Sequence, residues 1–429
     1  MKILVVGSGG REHAIVHAMA ANAAVTEVLV APGNAGTGVD ARNVAVVATD
    51  IPALSALVES EGVDLTVVGP EQPLVDGIVD HFRDRGHRIV GPTSAAARLE
   101  GSKAFSKEFM LRNGIPTAAF RTFDAPQLSD AEAFINECGA PVVIKASGLA
   151  AGKGAVVCET LEHARKTVRR MLVDREFGDA GDSVVVEEFM DGQEASVFAL
   201  CDGTDFVLLS TAQDHKRVGE GDTGLNTGGM GAYAPAVILD DADLEIVVDQ
   251  IIRPTILGMA EEGYAYTGFL YVGLMLTSTG PRVVEYNCRL GDPEAQVVLP
   301  LLKTDLVDLL VACAESRLGE VRVETRRGAA ACVVLCSGGY PGPYSKGVEI
   351  RGLSKASERG SVSIVHAGTT IDDGRVVTAG GRVLGVTAIG GSLEDALHRV
   401  YQAVPQIHFD GMFYRRDIGH RGLQHLRDK

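Results

Sequence analysis

The apolar positions of the first hundred residues fall into short runs, each followed by a glycine turn. Lys2–Val6 leads into Gly7-Ser8-Gly9-Gly10, and the spacing after it predicts a helix over Ala14–Ala21. Val28–Ala31, Leu65–Val68 and Ile89–Val90 are further runs, ending at Pro32-Gly33, Gly69-Pro70 and Gly91-Pro92, with a helix predicted over Ile51–Ser60. Strands alternating with helices predict a parallel α/β domain whose ligands sit at the carboxyl edge of its sheet. This first domain is placed at about residues 1–100.

A second texture follows. A helix opens at Gly101-Ser102-Lys103 and ends near Asn113-Gly114. Val142–Lys145 reads as a strand entering the glycine loop Gly148–Gly154, and Ser183–Glu188 as a strand before Phe189-Met190. Residues Gln213–Gly231 are polar and glycine-rich without periodicity, which predicts a long functional loop. Leu244–Glu262 has the spacing of an amphipathic helix, Phe269–Thr277 and Pro281–Tyr286 of a strand pair, and Gln296–Ala314 of another helix. From about Arg326 the runs shorten: Ala329–Cys336, Val362–His366, Val376–Thr378 and Arg382–Ala388 are strands, and Leu393–Val404 a helix. The expected architecture is therefore multidomain, α/β and α+β. It has a central domain at 101–325, with a subdomain at about 120–190, and a C-terminal mixed α+β domain at 326–429. No internal repeat is visible.

A length of 429 residues agrees with about three units. The formal charge of −16 makes the chain a poor nonspecific partner for nucleic acid or an anionic membrane, so any phosphate must meet local cations or backbone amides. The opening MKILVVGSGG reads as a strand, and no apolar run reaches the ~18 residues of a membrane span. Seven cysteines without a CxxC pair are expected to be reduced thiols of a cytoplasmic protein, with no metal cluster.

The chemistry concentrates at Val283-Val-Glu285-Tyr-Asn287-Cys-Arg289-Leu-Gly291-Asp292. Alternate residues of a strand share a face, so Glu285, Asn287 and Arg289 are expected to project together. They offer two oxygen ligands for a hard cation beside a guanidinium for an anion. A surface strand with a salt-bridged polar face fits the same pattern. Lys103 and Lys107 are i,i+4 partners, either on a solvated face or against a polyphosphate. Lys145 ends its strand ahead of a glycine hairpin carrying Lys153, which is either a mobile flap over phosphates or a plain turn; it is not a Walker A loop. Glu187, Glu188, Phe189, Met190 and Glu194 suit an adenine hinge and a ribose hydroxyl, or exposed acids at a turn. The Gly9-Gly10 turn is either an anion site at a helix N-terminus or an empty turn, and Glu12 stands where a dinucleotide fingerprint needs glycine. His215 is expected to be structural. Lysines, a glycine flap and a Glu/Asn pair together describe an ATP-dependent ligase better than a dehydrogenase.

Eight segments then stand in order: VVGSGGREHA (5–14), VIKASGLAAGKG (143–154), EEFMDGQEAS (187–196), AQDHKR (212–217), NTGGMGAY (226–233), EYNCRLGDPEAQ (285–296), SGGYPGPY (337–344) and DIGHR (417–421). This set resembles the ATP-grasp superfamily and, within it, the phosphoribosylamine–glycine ligase family, over essentially the whole length. Cys288 and Leu290 depart from the pattern and are expected to face away from the site. The resemblance implies a central ATP-grasp fold with a mobile lid, ATP as cosubstrate and Mg²⁺, or Mn²⁺, on Glu285 and Asn287. It implies glycine and 5-phosphoribosylamine as substrates, a glycyl phosphate intermediate and a monomer. It places Lys103, Lys107, Lys145 and Lys153 on phosphates, Glu187–Met190 on adenine and Glu194 on ribose, with Arg217 and Asn226 near the nucleotide. Arg289 and Asp214 become catalytic groups. Gly9, Gly10 and Arg11 take the 5-phosphate, and Gly229, Gly231 and Asp292 lie near the other substrates. The rivals are a sister ATP-grasp enzyme using formate or bicarbonate, and a nonenzymatic dinucleotide-binding module.

Overall fold

The computed structural model describes residues 1–150, 154–357 and 361–429. β1 (Lys2–Gly7), β2 (Glu27–Pro32), β3 (Arg42–Asn43), β4 (Leu65–Val68) and β5 (Ile89–Val90) form a parallel sheet in the order β3-β2-β1-β4-β5. Strand periodicity divides β1 between two cores. Ile3 and Val5 pack in a cluster with the C-terminal residues Val333 and Leu335, whereas Leu4 and Val6 pack with Leu270 and Val272 of the central region. The winding reverses between β1 and β4, so the crevice of this sheet opens beyond Gly7 and Gly69.

β6 (Phe120–Asp124), β7 (Val142–Ala146), β8 (Ala155–Cys158) and β9 (Ser183–Glu188) form an antiparallel sheet in the order β6-β9-β7-β8. Helices Leu128–Cys138 and Leu161–Leu172 cover it. The second helix buries Ala164, Thr167, Val168, Met171 and Leu172, one face of a 3.6-residue repeat, and Thr160 caps it by accepting from the His163 amide. This body has a hydrophobic cluster of its own, drawn wholly from between Phe123 and Val186.

β10 (Gln193–Asp202), β11 (Phe206–Leu208), β12 (Gln213–Asp214), β13 (Arg217–Gly219), β14 (Thr223–Asn226), β15 (Gly231–Ala234), β16 (Thr267–Thr277) and β17 (Gly280–Asn287) follow. A second antiparallel sheet runs β11-β10-β16-β17. β18 (Ala329–Cys336), β19 (Val362–His366), β20 (Thr369–Asp372), β21 (Arg375–Thr378) and β22 (Arg382–Gly390) complete the strands. The C-terminal sheet runs β12-β15-β18-β22-β19, with helix Leu393–Ala403 against it. It thus takes two strands from ahead of residue 326.

Three expectations are corrected. The first helix spans Gly10–Met19 because Glu12 folds back to accept from the Gly9 amide and starts it early. Gln296–Ala314 is broken: Leu299–Leu301 tightens to a 3₁₀ turn carrying Pro300, Lys303 bonds to the Glu324 carbonyl, and Asp305 caps a new helix from Leu306. The predicted loop Gln213–Gly231 contains the β13–β14 hairpin and β12, which enters the C-terminal sheet because its partner β15 pairs in turn with β18. A last helix spans His420–Asp428. Among the described residues no helix is long and apolar enough to cross a membrane.

An independent core predicts independent unfolding of the β6–β9 body. Met171 is 1% exposed, and Met171→Ala is expected to cost about 2–5 kcal/mol within that body. Hydrogen exchange should accelerate in β7 and β9 and stay unchanged in β1 and β4.

Candidate functional site

A cleft of about 520 Å³ lies where the β6–β9 body, the β10/β16/β17 face and the crevice of the first sheet meet. Strand register builds one wall. Glu194 of β10 pairs with Met275, Gly273 with Glu285, and Tyr271 with Asn287, so Glu194, Glu285 and Asn287 line the same cavity. Burial opposes the charge of Glu285, but Lys216, Lys145 and Lys103 outweigh it and hold the carboxyl below its ordinary range. Cys288 and Leu290 turn away into the two cores, as expected.

The opposite wall carries the lysines. Lys107 is 2% exposed, which excludes the solvated-face reading. Its Nζ lies 3.1 Å from Glu187 Oε2 and donates to Thr117 Oγ1 at 2.7 Å. Lys145 Nζ lies 3.0 Å from the same Glu187 oxygen and donates to the Val284 carbonyl at 3.0 Å. Burial lowers the Lys107 ammonium to about 8, with Glu187 opposing. Lys103 Nζ donates to the Gly148 carbonyl at 3.2 Å, and burial lowers it too. The Glu187 side chain is therefore an ion-pair partner rather than part of an adenine hinge. Any base contact by this segment falls to its backbone, Phe189 and Met190, which line the cavity. Glu188 accepts from the Ala119 amide and pairs with Arg282. Lys153 lies outside the described residues.

Arg289 lines the same cleft as Glu285 and Asn287, as expected, but its guanidinium is not free. It is held by Glu100 at 2.9 Å and Glu71 at 3.2 Å, so its charge is already answered by protein carboxylates. Arg289 follows the end of β17, and strand alternation no longer governs its direction. At the Gly9-Gly10 turn one backbone amide is already engaged. Glu12 takes the Gly9 amide and pairs with Arg11 Nε at 2.7 Å, and Asp292 takes the Arg11 amide. A Cβ at Gly7 would meet Glu12 Cγ at 2.6 Å, so the Glu12 side chain packs against the start of the turn. Asp292 lines the cleft and bonds Gln296 Nε2 at 2.8 Å and Arg382 at 3.3 Å.

Asp214 also lines the cleft, and burial raises its carboxyl. Glu194 pairs with Lys216, and Asn226 reaches the cavity from β14. Arg217 lies in an adjoining cavity and donates to the Gly224 carbonyl at 2.7 Å. Gly229 and Gly231 line neither. A Cβ at Gly231 would meet the Cys332 carbonyl at 2.6 Å, and Gly229, at φ +116°, lies against Pro293. They permit close sheet packing, and Gly228 reaches the cleft instead. His215 is fully buried, accepts from the Gly419 amide at 3.1 Å, and is lowered to about 3 by burial, so it is structural.

Sequence reasoning passed over several groups. Glu294 is 4% exposed, and burial beside Asp214 raises its carboxyl to about 7. It lay two residues beyond Asp292, within reach of the same turn. Lys216 shares strand parity with Asp214, and Glu71 follows a strand-end Gly-Pro; both signals were available. Glu100 and Arg382 had no local signal, because their partners are distant in the chain. Nine carboxylates and seven cationic side chains line the cleft among the described residues. A polyphosphate therefore needs further positive charge to enter. The Glu285/Asn287 pair, with no cluster of three metal-ligating acids, histidines or cysteines among the described residues, suits Mg²⁺, which takes few protein oxygens.

Known proteins resemble the chain along its whole length. The N, ATP-grasp (A) and C domains of phosphoribosylglycinamide synthetase match residues 1–100, 101–295 and 330–421. The phosphoribosylamine–glycine ligase of Chlorobaculum tepidum is 54% identical over 427 residues, 99% of this chain and all of that relative. The Escherichia coli K12 protein of the same name is 51% identical over 428 residues, 99% of each. A crystal structure of the Thermotoga maritima ligase superposes with a TM-score of 0.85 at 36% identity, covering 97% of this chain and all of that one. The biotin carboxylase domain of Hydrogenobacter thermophilus 2-oxoglutarate carboxylase shares the fold, with a TM-score of 0.73 at 16% identity over 96% of this chain and 91% of that one. By sequence along its whole length and by fold, this chain belongs to the phosphoribosylamine–glycine ligase family.

Proposed function

We propose that the chain joins glycine to 5-phosphoribosylamine, converting ATP to ADP and phosphate and giving glycinamide ribonucleotide for purine biosynthesis. The observation that carries this reading is one cleft lined by Lys103, Lys107 and Lys145 on one side and by Glu285 and Asn287 on the other. In the proposed route the glycine carboxylate attacks the γ-phosphorus, forming glycyl phosphate and releasing ADP. The amine of phosphoribosylamine then attacks the acyl carbon, loses a proton, and phosphate leaves. No side chain need bond covalently; the protein positions groups and offsets charge.

The three lysines face the polyphosphate, and because Glu187 answers two of them, a net positive charge remains there. Glu285 and Asn287 would hold Mg²⁺, or Mn²⁺ in its place, which when bound supplies the charge that draws phosphate oxygens into an acidic cleft. Asp214 and Glu294 are suited to an ammonium or to the departing proton. Arg289, committed to Glu71 and Glu100, is read as fixing the Asn287–Asp292 segment. Acyl phosphates hydrolyse readily, so water must be kept out, and the β6–β9 body is the part read as closing. We place the reaction in the cytoplasm, a reading supported by seven free cysteines, six of them buried.

ADP release should depend on glycine and phosphoribosylamine, with neither formate nor bicarbonate replacing glycine; turnover with formate or bicarbonate instead would favour the sister enzyme. Glu285→Ala should lower glycine-dependent ADP release by about 10²-fold or more with unchanged circular dichroism. Full activity in that variant would remove Glu285 from the cation site. Glu294 keeps its proton in the folded protein between its ordinary 4.5 and about 7, so stability is lost as pH rises through that window. Glu294→Gln should abolish this loss, and its melting temperature relative to the parent should climb from pH 5 to pH 8 in calorimetry.

A further inference from the structure

The tail segment Arg415–Arg421 makes contacts that the proposed chemistry does not use. Arg415 is 1% exposed although it carries a full charge. Its Nε and Nη2 grip Asp417 at 2.8 and 2.7 Å, and its Nη1 donates to Asp222 Oδ1 at 2.9 Å and to the Arg217 carbonyl at 3.0 Å. Asp222 and the Arg217 carbonyl belong to the β13–β14 hairpin. The other Asp222 oxygen accepts from Arg421 Nε at 2.9 Å, and Asp417 accepts from the Gly221 amide at 2.8 Å. Asp222 holds φ at +56°, a left-handed conformation that non-glycine residues adopt only when their surroundings enforce it.

The hairpin matters because of what it carries. Asn226 lines the nucleotide-sized cleft, and Arg217 lines the cavity beside it, which shares Phe189, Met190 and Glu194 with that cleft. Arg217 and Asn226 are paired across the hairpin, so shifting one shifts the other. β14 itself is exposed along its length, so packing from β14 does not fix the hairpin. The buried guanidinium clamps it at the base, through the Arg217 carbonyl, and at the tip, through Asp222.

We propose that Arg415 is a positioning residue for nucleotide binding: through Asp222 and the Arg217 carbonyl it holds the β13–β14 hairpin so that Asn226 faces the cleft. This rests on the ATP-binding reading above. Removing one partner of a buried, hydrogen-bonded ion pair leaves the other charge uncompensated, so small changes have large effects. Asp222→Asn removes the charge but keeps a residue tolerant of the left-handed conformation, and Arg415→Lys keeps the charge but loses the fork.

The test is ATP binding by titration calorimetry to the full chain with Mg²⁺ and without glycine, alongside steady-state kinetics. Asp222→Asn and Arg415→Lys should each weaken ATP binding and raise KM for ATP about tenfold, with kcat at saturating ATP within about twofold. Hydrogen exchange at 219–226 should quicken. Asn226→Ala should cost less in either variant than in the parent, because a displaced hairpin has already lost that contact. Equal ATP affinity in Asp222→Asn and the parent, or a fully additive Asn226→Ala penalty, overturns the proposal. Should Arg415→Lys fail to fold, Asp222→Asn alone decides. A parent protein that binds no ATP would overturn the functional reading itself, a different result from a parent that binds and variants that bind equally.

Discussion

Two buried ammonium groups share one carboxylate, and the cleft depends on that contact. A lysine buried alone sheds its proton, and two side by side repel. Glu187, lying 3.1 and 3.0 Å from Lys107 and Lys145, gives both ammonium groups a partner out of water. The arrangement stops short of neutrality and keeps an attraction for anions. Lys145 also reaches the Val284 carbonyl, so the contact joins the β6–β9 body to β17. One set of hydrogen bonds thus charges the cavity and brings its two walls together.

Opposite the lysines the balance is acidic. Glu194, Asp214, Glu285 and Glu294 crowd around Lys216 in a chain whose formal charge is −16. Such a site turns away free anions and favours those that arrive with a cation. The arginines at its edge are engaged: Arg289 with Glu71 and Glu100, Arg382 with Asp292, Arg11 with Glu12. The Arg289 and Arg382 pairs join segments that strand and helix geometry alone would leave loosely related, so charges that shape the cavity also fix its frame.

Much of this was legible in the sequence, and the failures have physical causes. Short-range periodicity placed β1, β4, β5, β7 and β17, and with β17 the pair Glu285 and Asn287. Where a residue's direction is set by a strand, reading the strand reads the site. Arg289 joins Glu285 and Asn287 in the cleft, but the carboxylates about two hundred residues earlier that hold its guanidinium have no local signal. Glycine suits both anion loops and tight packing, and at Gly229 and Gly231 only Pro293 and β18, far along the chain, separate the two. Glu12 speaks against a dinucleotide in the sequence, but that its carboxylate accepts from the Gly9 amide and pairs with Arg11 is visible only in three dimensions. Lys107 lost its solvated reading for the same reason, since its burial depends on Glu187.

The alternation along β1 has a consequence for how such a chain can change over time. Neighbouring side chains of this one strand answer to different interiors, so a single inserted or deleted residue would exchange the two sets and leave both mismatched. Divergence there is confined to swaps of like volume. Surface loops such as Asp373-Gly374, far from either interior, are free to lengthen. The amino terminus is in effect the keel of the molecule, and drift in this lineage is expected to collect elsewhere.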